Sequence, residues 1–258
     1  MCTLALYFRK VDHCPVIVAA NRDERYDRPS ASPAIWSTNP KILAGKDLLA
    51  GGTWLGVNEH GLLVGILNRR SDEPPNSPTH TRSRGLLCLD LLGLKSAAEA
   101  RLFVNQHEQV YQPFTVIFVD SREAWMAYNV RRQIKTHRLD EGLHVYSSAA
   151  EFAVRSEKID RAHDRFAEVF AKIHSNTTDK SVWVHSLQRV LGDHTLNDGS
   201  NEARDAICVH GDVSGTVSST IIVHDQTDGC FYTFNCPSTP CRGSFGEPLV
   251  LKVDEETA

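Results

Sequence analysis

The sequence predicts an α+β protein in which runs of strands alternate with runs of helices. Its 258 residues, of which 41% are hydrophobic and 23% are charged, are enough for one large domain with a sizeable core. We therefore expect a single domain over residues 1–258. The predicted elements follow the order strands, helices, strands, helices, strands, and this order favours a layered α+β fold over a βαβ repeat.

Alternating hydrophobicity and helical periodicity locate the individual elements. Strands are predicted at residues 3–8, 15–20, 54–57, 62–67, 114–119, 124–130, 133–138, 144–146, 206–209, 217–223, 230–234 and 249–253. Helices are predicted at residues 86–94, 96–106, 154–173 and 182–191. The second helix begins at a capping box formed by Ser96 and Glu99. The polar, proline-rich residues 71–83 are predicted to form a surface loop.

Charge and hydrophobicity exclude several classes of function. The net charge of −4 lacks the basic excess of a nucleic-acid-binding protein, so no nucleic-acid partner is expected. No apolar segment is long enough to cross a bilayer, and Arg9, Lys10 and Asp12 interrupt any secretory signal. The seven cysteines are an odd number without such a signal, which indicates reduced thiols and a cytoplasmic protein.

Neither a metal site nor a nucleotide cofactor is predicted. Cys236 and Cys241 are further apart than the cysteines of a CxxC motif, and no second pair completes a zinc site. The sequence also lacks the glycine-rich fingerprints of dinucleotide-binding and P-loop proteins. We therefore assign no metal ligand.

The first predicted hairpin brings a polar run to the N-terminus. If its turn is centred near Asp12, the numbers of cross-strand partners sum to about 24, and Cys2 lies opposite Arg22. Asn21 and Asp23 then share one face of the strand and Arg22 occupies the other. Because the register is uncertain by one residue, it stays open which set faces Cys2.

This arrangement suits nucleophilic chemistry at Cys2. A thiolate is the reactive form of cysteine, and a nearby base or positive charge stabilises it. Removal of Met1 makes Cys2 the first residue, and its α-amine, with a pKa near 8, can act as the base. Asp23 can orient that amine, and Arg22 can bind a substrate carboxylate. The alternatives are an inert cysteine in a strand and a solvated charged end of a hairpin.

The second predicted hairpin contributes Asn68. Its turn around Gly61 places Asn68 opposite Gly51 and Gly52, where the missing side chains are predicted to leave space for a ligand. The Asn68 amide can donate to a developing oxyanion, although an asparagine that caps a loop fits the sequence equally well. Arg69 and Arg70 follow and can receive an anionic substrate.

These motifs together resemble the NRDE family, also called the transport-and-Golgi-organisation type 2 family. The resemblance is carried by Met1-Cys2-Thr3, the run Asn-Arg-Asp-Glu at 21–24, the run Gly-Gly-Thr-Trp-Leu-Gly at 51–56, and Leu67-Asn68. It covers residues 1–70 and continues weakly through 147–148, 208–210 and 216–220. The run at 21–24 and the run at 51–56 are specific as a pair.

The resemblance implies the four-layer αββα sandwich of the N-terminal nucleophile hydrolases. It extends to cysteine amidases such as bile salt hydrolase and penicillin V acylase, in which a cysteine after the initiator methionine is the nucleophile. The matching positions here are Cys2, Asp23 and Asn68. Two positions depart from the acylases: Ala20 stands where they carry an arginine, and Ser148 stands where they carry a second oxyanion asparagine.

The first functional hypothesis is therefore a cysteine amidohydrolase acting on a small amide or N-acyl substrate without a cofactor. Cys2 attacks the amide carbonyl, Asp23 and Asn21 orient the α-amine, and Asn68 stabilises the oxyanion. The residues expected to contact the substrate are Arg22, Glu24, Arg69 and Ser148.

The alternative hypothesis is a non-enzymatic protein that binds and carries an amphipathic metabolite in the same pocket. The family resemblance implies haem or a lipid or acyl metabolite as the ligand. Asn21, Arg22 and Arg69 would then contact propionate or phosphate groups, and Cys2 or a histidine could ligate the haem iron.

Overall fold

The computed structural model describes residues 2–69, 81–130, 133–148, 157–173, 180–196 and 205–254. Its backbone divides into two compact units. The first contains residues 1–28, 141–223 and 232–248, and the second contains residues 29–140, 224–231 and 249–258. The prediction of a single domain stays a prediction.

One sheet has six strands in the order β10-β1-β2-β11-β12-β13, and most of its residues belong to the first unit. The strands are β1 (Thr3–Val11), β2 (Cys14–Arg25), β10 (Gly142–Ser147), β11 (Ser214–Asp225), β12 (Cys230–Cys236) and β13 (Leu249–Lys252). Two helices, α3 (Glu157–Ile173) and α4 (Lys180–Leu191), cover this sheet. Phe166 of α3 and Leu187 of α4 pack with Tyr7 and Ile17 of the first hairpin in one buried core.

The second unit is built on a seven-stranded sheet with the order β3-β4-β5-β6-β7-β8-β9. The strands are β3 (Ser30–Trp36), β4 (Ile42–Asp47), β5 (Leu55–Asn58), β6 (Leu63–Asn68), β7 (Phe114–Val119), β8 (Ala124–Val130) and β9 (Gln133–Leu139). Helices α1 (Arg84–Leu92) and α2 (Ala97–Gln106) lie against it. Leu87, Leu91 and Val104 of the helices pack with Val64 and Phe118 of the sheet.

Most of the predicted elements are confirmed. The capping box is present, with the Ser96 side chain accepting a hydrogen bond from the Glu99 amide at 3.2 Å. The predicted strand at 206–209 is wrong: these residues are buried because they pack in the core, yet they form no strand. Strands β3 and β4 were not predicted. The predicted loop at 71–83 lies largely outside the described residues.

Among the residues that the structure describes, no helix is both long and apolar enough to cross a membrane. The cytoplasmic location stays a prediction.

The two consecutive glycines before Trp54 have different environments. A Cβ atom at Gly52 would lie 2.2 Å from the carbonyl carbon of Gly85, and the Thr53 amide donates to the Gly85 carbonyl oxygen at 3.0 Å. The expectation that Gly52 leaves space for a ligand is therefore wrong, because the backbone at the start of α1 fills that space. Gly51 has a φ of 76°, a conformation that favours glycine.

We expect Gly52→Ala to lower the free energy of unfolding by about 2–3 kcal/mol, because the added methyl group meets rigid backbone. Chemical denaturation monitored by circular dichroism measures this change. Gly246→Ala is the matched control, since a Cβ atom there meets nothing within 4 Å. Equal stability of the two variants would contradict the close packing of Gly52 on Gly85.

Candidate active site

Cys2 immediately precedes β1, where the ends of three neighbouring strands meet. β1 pairs with β2 so that Thr3 lies opposite Asn21 and Leu4 opposite Ala20. On the other side β1 pairs with β10, with Thr3 opposite Ser147. From Thr3 to Phe8 the cross-strand numbers of β1 and β2 sum to 24, although Val11 pairs with Cys14 beyond a register shift. This confirms the predicted register at the N-terminal end of β1 and places the polar run 21–24 beside Cys2.

Two neighbours fix the position of Cys2. Its Sγ atom accepts a hydrogen bond from the Asp23 backbone amide at 3.4 Å and lies 3.6 Å from the Asp23 carbonyl oxygen. Its own carbonyl oxygen accepts from the Ser148 amide at 3.1 Å. Cys2 is partly exposed as a whole residue, and both its sulfur and its backbone are held by hydrogen bonds.

The Asp23 carboxylate is buried in the same cluster. Its Oδ1 atom accepts a hydrogen bond from the Thr216 hydroxyl at 2.6 Å. Burial raises the pKa of Asp23, while the positive charge of Lys158 and the Thr216 hydrogen bond oppose that rise. A carboxylate placed here can orient and stabilise an adjacent ammonium group.

Lys158 is a site residue that our sequence analysis missed. It is 2% exposed on α3, and its charge acts on both Asp23 and Cys2. Burial lowers the pKa of Lys158, and the Asp23 carboxylate opposes that change. The sequence feature that could have indicated its burial is helical spacing, because Lys158 lies four residues before the buried Ala162 and therefore on the apolar face of α3.

The thiol of Cys2 is not activated by its surroundings alone. Burial raises its pKa, and the negative charge of Asp23 adds to that rise. The positive charge of the buried Arg22 acts in the opposite direction. These surroundings disfavour the thiolate, so a nucleophilic attack by the sulfur requires a base.

Asn21 connects β2 to the segments that surround it. Its Nδ2 atom donates to the carbonyl oxygens of Leu191 and Ile207, both at 2.9 Å. Its Oδ1 atom accepts from the Ser219 hydroxyl at 2.5 Å. Both amide hydrogens are thus used within the protein, which makes Asn21 a residue that positions the strand end. Its predicted role in orienting the α-amine stays a prediction.

Glu24 and Ser148, two further predicted substrate contacts in the first unit, have different environments. Glu24 accepts from the Arg25 amide at 2.9 Å and lies 3.7 Å from the Arg28 guanidinium, so its carboxylate is engaged in local contacts. The hydroxyl of Ser148 is buried and has no hydrogen-bond partner among the described residues. The predicted substrate contact of Ser148 stays a prediction.

Asn68 and Arg69 belong to the second unit. Asn68 is exposed at the end of β6, where it pairs with Phe114 of β7. The Arg69 guanidinium donates to the Asn129 carbonyl oxygen and lies 5.6 Å from the ring centre of Tyr128. These contacts hold Arg69 against its own sheet. The oxyanion role of Asn68 and the substrate role of Arg69 stay predictions, and Arg70 lies outside the described residues.

Solved structures share this architecture. A penicillin V acylase from Agrobacterium tumefaciens matches with a TM-score of 0.58 and 12% identity, covering 98% of this chain and 99% of that chain. A single-residue variant of the conjugated bile acid hydrolase from Clostridium perfringens matches with a TM-score of 0.59 and 10% identity, covering 99% and 98%. An N-acylethanolamine-hydrolyzing acid amidase orthologue from Caenorhabditis elegans matches with a TM-score of 0.54 and 12% identity, covering 86% and 92%.

These similarities show that the fold is the αββα sandwich of the N-terminal nucleophile hydrolases, which confirms the predicted fold class. The sequence profile of the family described as Transport and Golgi organisation 2 matches residues 1–233, and the chain belongs to this family. The mouse Transport and Golgi organization 2 homolog is 28% identical over 259 residues, covering 89% of this chain and 92% of the mouse protein. The human homolog is 34% identical over 128 residues, covering 45% of each.

Proposed function

We propose that the protein is a cysteine amidohydrolase that cleaves a small amide or N-acyl substrate. The observation that carries this proposal is the position of Cys2. Its sulfur accepts from the Asp23 amide at 3.4 Å, beside a buried carboxylate that the Thr216 hydroxyl holds at 2.6 Å. A partly exposed thiol next to a fixed carboxylate is the arrangement that an N-terminal nucleophile requires.

The reaction begins when the Cys2 sulfur attacks the carbonyl carbon of the substrate. Because the pKa of Cys2 is raised, the thiol proton needs an acceptor. The α-amine of Cys2, free once Met1 is removed, takes this proton and then transfers it to the leaving amine. The C–N bond breaks as the acyl group remains on sulfur, and water hydrolyses the thioester to a carboxylic acid. Met1 itself lies outside the described residues.

The neighbours of Cys2 support these steps electrostatically. Asp23 orients the α-ammonium group and stabilises its charge. The positive charge of Lys158 acts on the Asp23 carboxylate and offsets part of the cost of burying it. Arg22 favours the thiolate and the oxyanion that develops from the substrate carbonyl. The buried Ser148 hydroxyl can donate to the substrate.

The names of the structural neighbours support the substrate class. They are a penicillin V acylase, a conjugated bile acid hydrolase and an N-acylethanolamine-hydrolyzing acid amidase. Each name describes an enzyme that acts on an acyl group held in an amide. We therefore propose an N-acylated small molecule as the substrate of this protein.

The proposal predicts that the protein isolated from cells lacks Met1 and that its Cys2 is labelled by a small electrophile. Cys230 and Cys241 are the appropriate competitors, because they are also partly exposed, whereas the other four cysteines are buried. Intact-mass measurement detects Met1, and peptide mapping after brief iodoacetamide treatment ranks the thiols. We expect Cys2 to be modified ahead of Cys230 and Cys241.

A panel of N-acyl amino acids, N-acylethanolamines and penicillin V then tests turnover. Retention of Met1 on the cellular protein would rule out the proposed mechanism. Selective labelling without hydrolysis of any substrate would instead favour the binding hypothesis, and titration with haem would then identify or exclude that ligand.

A further inference from the structure

A second group of reactive side chains lies in the first unit, and the proposed hydrolase mechanism does not use it. His194 follows α4, Cys208 and His210 precede β11, and Cys241 follows β12. We call these four residues the His/Cys cluster. The Nε2 atom of His210 lies 3.2 Å from Cys241 Sγ and 3.8 Å from Cys208 Sγ. One ligand atom from each of His194, His210 and Cys241 lies within 4.8 Å of the others.

Backbone contacts hold the three segments of the cluster together. The Cys208 amide donates to the Asp193 carbonyl oxygen at 2.8 Å. A Cβ atom at Gly192 would lie 3.3 Å from the Cα atom of Cys241, so the chain after α4 approaches the turn after β12 closely. The arrangement of the cluster therefore follows from main-chain packing, and the ligand atoms are brought together before any ion binds.

Thr216 ties the same segments to the sheet. Its amide donates to the Val209 carbonyl oxygen at 2.9 Å, and its hydroxyl accepts from the Val209 amide at 2.8 Å. Its carbonyl oxygen accepts from the Thr239 hydroxyl at 3.0 Å. Val209 lies between the two ligands Cys208 and His210, so Thr216 fixes the main chain at that point.

The distances in the cluster suit a tetrahedral ion. Zinc–sulfur bonds of about 2.3 Å and zinc–nitrogen bonds of about 2.0 Å place a nitrogen and a sulfur ligand about 3.5 Å apart. The two distances from His210 Nε2 to the cysteine sulfurs lie on either side of this value. His194 is exposed, so its imidazole can move towards an ion to complete the coordination.

The donor atoms select the kind of ion. Two thiol sulfurs and two imidazole nitrogens are soft or borderline ligands, which prefer zinc to the hard cations calcium and magnesium. Two thiolates formed by loss of the thiol protons would neutralise the charge of a divalent ion.

We propose that the His/Cys cluster binds one zinc ion through His194, Cys208, His210 and Cys241. The spacing of the cysteines along the sequence did not indicate this site, because its ligands come from three separate segments. The site is distinct from Cys2, although one threonine bonds to a neighbour of each: the Thr216 hydroxyl accepts from the Val209 amide and donates to Asp23.

Titration of the reduced, metal-free protein with Co²⁺ tests the proposal. Tetrahedral cobalt bound to thiolates shows strong visible bands and a sulfur-to-cobalt charge-transfer band, and zinc removes both by displacing the cobalt. We expect these bands at one cobalt per chain. Cys2→Ala should retain them, which separates this site from the proposed nucleophile.

Substitutions of the ligands give the decisive comparison. Cys241→Ser and His210→Gln should weaken zinc binding by about 10–100-fold or more. Cys230→Ser and His185→Gln are matched controls outside the cluster and should bind as the parent protein does. The exposed His194→Gln adds a ligand variant that should fold normally, and circular dichroism verifies folding in each case.

Two results would overturn the proposal. The first is the absence of a sulfur-to-cobalt band at stoichiometric Co²⁺ in the folded, reduced protein. The second is unchanged zinc affinity in a folded Cys241→Ser or His210→Gln variant.

Discussion

Replacing Cys2 by alanine is expected to reduce hydrolysis of an N-acyl substrate by about 10³-fold or more. The substitution removes the sulfur that forms the acyl thioester. The remaining groups can still bind a substrate, so the loss should appear in kcat. Steady-state assays on any substrate that the panel identifies, with parent and variant at equal concentration, measure this effect.

Cys230→Ser is the control for this experiment. Cys230 is also a partly exposed thiol, but its Sγ atom contacts only the Asp228 carbonyl oxygen, at 3.5 Å, among its described hydrogen bonds. The Cys230→Ser substitution should therefore leave kcat unchanged. Turnover that persists in Cys2→Ala at the parental rate would assign the reaction to another group and would contradict the nucleophile proposed here.

Replacing Asn21 by leucine is expected to lower the free energy of unfolding by about 3–5 kcal/mol. Leucine has a similar volume, so the packing changes little. The carbonyl oxygens of Leu191 and Ile207 and the hydroxyl of Ser219 would each lose a hydrogen-bond partner. Each buried polar group left without a partner costs about 1–3 kcal/mol. Equilibrium unfolding in urea measures the total.

Ser219→Ala provides a graded comparison. It removes one of the three hydrogen bonds of Asn21 and is expected to cost about 1 kcal/mol. A loss of less than about 1 kcal/mol in Asn21→Leu would show that these hydrogen bonds do not hold the end of β2. If Asn21→Leu alters only activity, the residue acts on the reaction and not on the fold.

The features that could be predicted from the sequence are those set by neighbouring residues. The turn near Asp12 sets the register of the first hairpin to within one residue, and an irregularity between Phe8 and Val11 gives the final pairing of Thr3 with Asn21. The capping box at Ser96 likewise depends on residues three positions apart. In each case the relevant physics acts over a few residues, so the pattern of residue types carries the information.

The features that escaped prediction depend on tertiary contacts. β3 is an exposed strand, so it lacks the alternation of apolar residues that identifies a half-buried strand. Residues 206–209 are apolar because they are buried, and burial alone does not distinguish a strand from an irregular segment. The filling of space at Gly52 by Gly85 depends on where α1 begins relative to the sheet.

The candidate active site likewise combines a feature that local sequence predicts with one that depends on tertiary contacts. The proximity of Asp23 to Cys2 follows from hairpin register, whereas Lys158 reaches Asp23 from a helix more than one hundred residues away in the sequence. The His/Cys cluster has ligands from three segments, and no local spacing indicates such a set. Periodicity places Lys158 on the buried face of α3, but the partner of its charge is visible only in three dimensions.

The hydrogen bonds of Thr216 also have a direction. A backbone N–H can only donate, so the Val209 amide gives its hydrogen to the Thr216 oxygen, and the single hydroxyl hydrogen is given to Asp23. The three groups form a polarised chain that begins in the main chain and ends at a carboxylate. Asp23 Oδ1 is thereby kept as an acceptor, which favours Oδ2 as the oxygen that takes up a proton when this carboxylate is neutralised.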